Sequence, residues 1–121
     1  QVDGVKAYYI AEAGMNKAVA ALQYDQDVQQ QMLAELRIVG NTMTIDIDES
    51  FSGGSFSDVL ATFKSKTSQN MVIELKGSGT FNNANKELLR YAYKSNGIPL
   101  VIGTLKTEVP HIIYETYVVL R

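Results

Sequence analysis

The sequence predicts an α+β domain in which an N-terminal helix packs on an antiparallel sheet. Apolar residues recur at helical spacing up to residue 39, and after Gly40 the period falls to two. The alternating stretches are joined by short connections containing Gly, Asn and Pro, not by further helices. With 121 residues, 45% of them hydrophobic and 20% charged, the chain suits one globular domain over 1–121, helical in 1–39 and a sheet-forming head in 40–121.

The first helix is carried by "AYYIAEAGMNKAVAAL", Ala7 to Leu22. Tyr8, Met15, Val19 and Leu22 fall close to one line at helical spacing, with Ala11 and Ala18 on its flank, so this stripe is expected to hold the sheet. A second helix or a continuation is expected over 28–37, where Val28, Met32, Leu36 and the neighbouring Leu33 recur and Asp27 is placed to cap the start. "YDQD" marks the break.

Gly14 stands in the middle of the first helix, where glycine costs about 1 kcal/mol relative to Ala. Roughly opposite the Tyr8 to Leu22 stripe lie Ile10, Ala13, Gly14, Ala20 and Ala21, with Lys17 among them. Such a small-sided face lets a neighbouring helix approach closely. Alternatively, Ala fills an exposed face as the best helix former, and periodicity does not separate the two.

In "NTMTIDIDES", Met43, Ile45 and Ile47 alternate with Thr42, Thr44, Asp46 and Asp48, the pattern of a half-buried strand. "SFSDVLATFKSK" reads as a strand from the alternation of Val59, Ala61 and Phe63, with a short helix capped at Ser57 as the alternative. "MVIELK" and "KELLRYAYK" predict a hairpin across the turn chemistry of "GSGTFNNAN", with Leu89, Tyr91 and Tyr93 on one side. "GIPLVIGTL" and "PHIIYETYVVLR" predict two further strands, the last with Ile112, Tyr114, Val118 and Leu120 on one face and Thr116 between them. Pro99 and Pro110 suit strand starts or edges.

The chemistry is sparse. A formal net charge of -2 provides no general attraction to phosphate, so a nucleic-acid partner is disfavoured even with Lys64, Lys66, Lys76, Lys86, Arg90 and Lys94 interleaved with Phe81, Tyr91 and Tyr93. The absence of Cys excludes disulfides, thiolate metal sites and a cysteine nucleophile. Asp46, Asp48 and Ser50 imitate the start of a calcium loop, but Phe51 and Ser57 stand where its turn glycine and bidentate Glu belong. His111 is the only histidine, "GGSFS" lacks the last glycine of a nucleophile elbow, and "FSGGSF" and "KGSGTF" match no phosphate-binding loop and read as turns. No enzyme, cofactor or metal is expected.

The sequence opens at Gln1 in a helix-like stretch without Met, which reads as a fragment or processed product, and no apolar run long enough to span a bilayer occurs in it.

Tyr9, Ala11, Glu12, Ala13, Gly14, Ala18 and Leu22 complete the familiarity of the first helix: "AYYIAEAGMNKAVAAL" resembles the start of minor type IV pilins of the PilX-like kind, whose helices read Y-x-A-E-A-G followed by apolar and Ala positions. "IELKGSGTFNNANKELLRYAYK" is similar to the strand, small-residue turn, strand unit of their head domains. The resemblance implies a pilin-like fold and a non-enzymatic subunit of a pilus or a related secretion or DNA-uptake filament. Such a subunit is anchored in the membrane by an upstream hydrophobic helix before assembly, and then lies in the envelope or in an extracellular filament. Its partners would be other pilin subunits and the assembly machinery. Ala13, Gly14, Lys17 and Ala21 would then face neighbouring helices, and Gly14→Leu would spare the isolated domain while reducing assembly. A different class of function, an envelope-anchored binding or adhesion module with the helix as a stalk, is the alternative. Without Cys, the disulfide-bounded loop of many pilins is impossible here.

Overall fold

The structure, a computed structural model, describes residues 2–47, 53–66, 70–95, 107–109 and 112–120. Helix α1 spans Val2–Tyr24 and helix α2 spans Gln26–Glu35. The break lies at Asp25, whose extended backbone (φ -90°, ψ 113°) and side chain start α2 by accepting from the Asp27 and Val28 amides. The cap is thus Asp25, not Asp27 as the spacing suggested, because the chain must leave helical geometry at the capping residue itself. From one turn into α2, Gln29 Nε2 donates to the carbonyls of Leu22 (3.1 Å) and Gln23 (2.7 Å), so the end of α1 is satisfied by the helix that follows it. Asp25→Ala is expected to lower stability by about 1 kcal/mol, measured as a reduced urea midpoint at unchanged slope.

The strands are β1 (Thr42–Ile45), β2 (Gly54–Phe56), β3 (Val59–Lys66), β4 (Asn70–Phe81), β5 (Ala84–Ser95), β6 (Thr107–Val109) and β7 (Ile112–Leu120). They form one sheet in the order β1-β3-β4-β5-β7-β6, with β2 also paired to β4. The segment that permitted a strand or a short helix is the strand β3. Pairing is antiparallel among β1 to β5, but β7 runs parallel to β5. The wholly antiparallel sheet expected from the sequence is therefore corrected to a mixed one. Alternation reports which side chains share a face, not the direction of the neighbouring strand.

The hairpin β4–β5 turns at Asn82 and Asn83, with Asn82 at φ 52°. Gly77 and Gly79, expected in that turn, lie inside β4 instead. "FSGGSF" is only in part a turn, since Gly54 begins β2. "GIPLVIGTL", Pro99 and Pro110 fall outside the described residues. Strand β7 pairs Leu89 with Tyr114 but Tyr91 with Tyr117, so its alternation is interrupted at Thr116 and the expected single face of Ile112, Tyr114, Val118 and Leu120 is not continuous.

Strands β2 and β3 share one edge of β4, β3 along Met71–Lys76 and β2 along Gly79–Phe81. At the step between them the Ser57 amide donates to Ser78 O (2.9 Å), and the Ser78 amide donates back to Ser57 Oγ (2.8 Å). A side chain thus replaces the ladder where the strand is interrupted.

Both helices cover one face of the sheet. Met15, Leu22, Met32, Leu36, Met43, Ile45, Val59, Phe63, Ile73, Leu75 and Leu88 form the buried core between the layers. Leu89, Tyr91 and Tyr93 do share a face, as the alternation predicts, and it is the one turned away from α1, beside Lys76, Glu74 and Val72. There Tyr91 Oη donates to Glu74 Oε2 (3.1 Å), and Lys64 and Lys76 pair with Glu74 and Glu87.

Candidate interface on the first helix

The inward face of α1 is made mostly of small residues. Gly4, Ala7, Ile10, Ala11, Gly14, Met15, Ala18 and Leu22 are buried on it, and they recur at the three- and four-residue steps of one helical face. The sheet answers with glycine. Beneath α1, Gly79 has no room for a side chain, because a Cβ there would run into the Ala7 carbonyl and the Ala11 amide of the helix backbone. The Phe56 ring lies between Gly14 of the helix and Gly77 of β4, where a Cβ on Gly14 would overlap the ring and one on Gly77 would come within 2.9 Å of it. Glycines distant in sequence thus set the close approach of helix to sheet.

Arg90 is buried on the same face of β5 and donates through Nη1 to Asn16 Oδ1 (2.8 Å), tying α1 to the sheet. This separates Arg90 from Lys64 and Lys76, which lie on the opposite face beside carboxylates, while Lys6 stands 4.7 Å from the Phe81 ring centre. The basic and aromatic residues of the middle of the chain do not form one surface. Asp48, Ser50, Phe51 and His111 fall outside the described residues. Among the described residues no cluster of His, Asp and Glu is arranged to hold a metal ion, and no helix is long and apolar enough to cross a membrane.

The residues expected to hold the sheet are placed as follows. Met15 and Leu22 are fully buried, and Tyr8 and Val19 flank them, half-buried against the core, with Tyr8 Oη donating to Glu12 Oε2 (3.1 Å). The four residues expected at a filament interface divide. Ala13 is half-buried and Lys17 is exposed on the far side of the helix. Gly14 is buried against Phe56, and Ala21 packs against the core cluster. Gly14 is therefore withdrawn from the interface: its missing side chain is filled from within the same domain.

What the sequence did not single out is the stripe that remains outside. Val2, Tyr9 and Tyr24 are 70%, 60% and 80% exposed, and with Val5, Ala13 and Ala20 they follow the helix opposite its buried face. Lys6, Asn16 and Lys17 lie within or beside this stripe, exposed. At its C-terminal end, Ala20, Ala21, Tyr24, Asp25, Gln26 and Asp27 line an open depression at the elbow between the helices. The stripe chemically suits packing against another helix: its middle carries short side chains, and its ends carry Val and Tyr.

Compared with family models, with curated proteins and with solved structures, the chain matches none of them.

Proposed function

We propose that this chain is a non-enzymatic structural subunit of a type IV pilus or of a related secretion or DNA-uptake filament, a minor pilin acting in assembly or at the tip. One observation carries the proposal. The inward face of α1 is already filled by its own sheet, yet the opposite face carries the apolar residues Val2, Val5, Tyr9, Ala13, Ala20 and Tyr24 among the exposed Lys6, Asn16 and Lys17, a more apolar surface than a helix facing only water needs. The "YIAEAG" resemblance to minor pilins lies on this same helix. In this role the mechanism is helix packing. Ala13 and Ala20 admit a neighbouring subunit's helix closely, Tyr9 and Tyr24 supply contact area, and Lys17 borders the contact. An apolar helical segment N-terminal to Val2 would anchor the subunit in the membrane before assembly, and the sheet would stand outside as the head.

The test uses the native protein in its own cell. Surface filaments sheared from the cell are expected to contain this chain, with a mature N-terminus that precedes Gln1 by an apolar run of about 20 residues. A mature protein with a polar N-terminus and no membrane segment overturns the proposal, and normal filaments with lost adhesion on gene deletion support the binding module instead. Ala13→Glu in the full-length protein is expected to change the stability of the domain by less than about 0.5 kcal/mol, since Glu is a good helix former placed four residues before Lys17. The same substitution is expected to deplete the subunit from sheared filaments, measured by quantitative mass spectrometry.

A further inference from the structure

Strand β1 ends the sheet, and among the described residues no strand pairs with its outer edge. Two hydrogen bonds set the phase of its backbone. Asn41 O accepts from the Phe63 amide, and the Ile47 amide donates to Asp58 Oδ1 (3.1 Å), both on the β3 side. Peptide groups of successive residues in an antiparallel strand point to opposite edges. The Asn41 carbonyl, the backbone polar groups of Met43 and Ile45 and the Ile47 amide therefore turn toward β3, the Asn41 amide donates back to Ile38 O (2.9 Å), and Thr42, Thr44 and Asp46 turn their backbone polar groups outward.

All three of these residues are exposed. Proteins protect such edges with proline, lysine, a bulge or a covering element. Here the edge strand is Thr-Met-Thr-Ile, paired to β3 without a register shift, and within Thr42–Ile45 it carries none of the first three; the one irregularity lies just before it, where Gly40 (φ 100°) and Asn41 both bond to Phe63. Its other face is held firmly, with Met43 and Ile45 buried at 3% and 2% exposure, so the register of the edge cannot slip without exposing them. The result is a template of fixed register whose one charge is the Asp46 carboxylate at its C-terminal end.

We propose that the β1 edge is a strand-addition site for a short extended segment of another protein. The segment would pair antiparallel, with alternating β-branched apolar and hydroxyl side chains and a basic residue opposite Asp46. Size and charge select this occupant. An edge strand of four residues spans about 13 Å at 3.3 Å per residue, too little to supply the roughly 1,200 Å² that a stable dimer buries, whereas a linear segment binds chiefly through its backbone. Asp46 is the only charged residue from Thr42 to Asp46, which calls for a cation at the segment's N-terminal end. Ile38 and Val39, exposed just before β1, offer apolar contact to its other end. The proposal does not depend on the filament reading.

The test titrates the full chain, labelled with 15N, with an acetylated and amidated Lys-Val-Thr-Val-Thr peptide. Saturable shifts are expected at the outward amides of Thr42, Thr44 and Asp46, with smaller ones at Met43 and Ile45. N-methylation of the two peptide threonines, whose amides face β1, is expected to weaken binding by about tenfold or more, while N-methylation of the two valines changes it by less than about twofold. No saturable shift at millimolar peptide overturns the proposal, as do equal effects of the two methylated peptides. Shifts of the same amides that grow with protein concentration in the absence of peptide also overturn it, and assign the edge to a second copy of the chain.

Discussion

Gly79→Ala is expected to destabilise the domain by about 3 kcal/mol, the upper end of the usual cost of overpacking. The added methyl would lie against the Ala7 carbonyl, the Ala11 amide and, at 2.9 Å, the Ala11 Cα. All three belong to the helix backbone, so no side chain can swing aside. Either α1 lifts from β4 or the strand bends away from it. Local propensity opposes this effect only weakly, since Ala in a strand interior is better than Gly by a fraction of a kcal/mol. Equilibrium urea unfolding is the measurement, and a midpoint equal to that of the parent protein would show that helix and strand do not meet this closely.

Gly14 gives the second large effect and, through Gly14→Ala, a test of sign. Were Gly14 on a solvent-facing or purely intermolecular face, Ala would stabilise the isolated domain by about 1 kcal/mol through helix propensity. Its Cβ would instead enter the Phe56 ring, so Gly14→Ala is expected to lower the urea midpoint, and Gly14→Leu to lower it further, with a loss of stability of about 2 to 3 kcal/mol. Phe56→Ala also destabilises by removing a ring from the core, but combined with Gly14→Leu it opens the space that Leu needs. The pair is expected to be non-additive, with the double variant more stable than the sum of the single effects by at least about 1 kcal/mol. Additive losses would mean that the two residues do not share one slot. The earlier expectation that Gly14→Leu spares the isolated domain is thereby replaced: loss of assembly in that variant would follow from loss of folding, and Ala13 is the residue on which an interface can be tested cleanly.

The contrast between Gly14 and Ala13 shows where the sequence was legible. The existence of α1, its break near Asp25, the period-two stretches and the β4–β5 hairpin follow from spacing alone, because each element must bury one face and its repeat records which residues do so. The inward face of α1 was legible in part: Met15, Leu22, Ala11 and Ala18 are buried as the spacing indicated, but the centre of that face was not. Size pointed to Tyr8, Met15, Val19 and Leu22, and a large stripe is the usual helix–core contact. In this fold the centre of the contact is Ala7, Ala11, Gly14 and Ala18, with Met15 and Leu22 beside them, and it is small because the helix lies close on β4. The signal was present in "KGSGTF", where glycine at every second position marks one strand face without side chains, but it gains meaning only once that face is known to lie under a helix.

The candidate interface was legible in part for the same reason. Ala13 and Lys17 were identified from the helix and lie on its outer side, whereas Tyr9 and Tyr24, the most exposed aromatics of the stripe, carry no mark of exposure in a sequence where other tyrosines are half-buried. The parallel pairing of β5 with β7 had no local signature either, since a parallel pair is made by a connection outside both strands.

By itself, then, the sequence determined the α+β class, the order of helices before strands, the positions of the main strands and the absence of thiol chemistry, all of which depend on residue type and near-neighbour period. Only the tertiary structure decided where the inward face of α1 is centred, what fills the gap at Gly14, the mixed direction of the sheet and the exposed edge of β1. Those depend on contacts between residues far apart in the chain, such as Gly14 with Phe56 and Ala7 with Gly79, and complementarity of that kind is a property of two surfaces that neither segment carries alone.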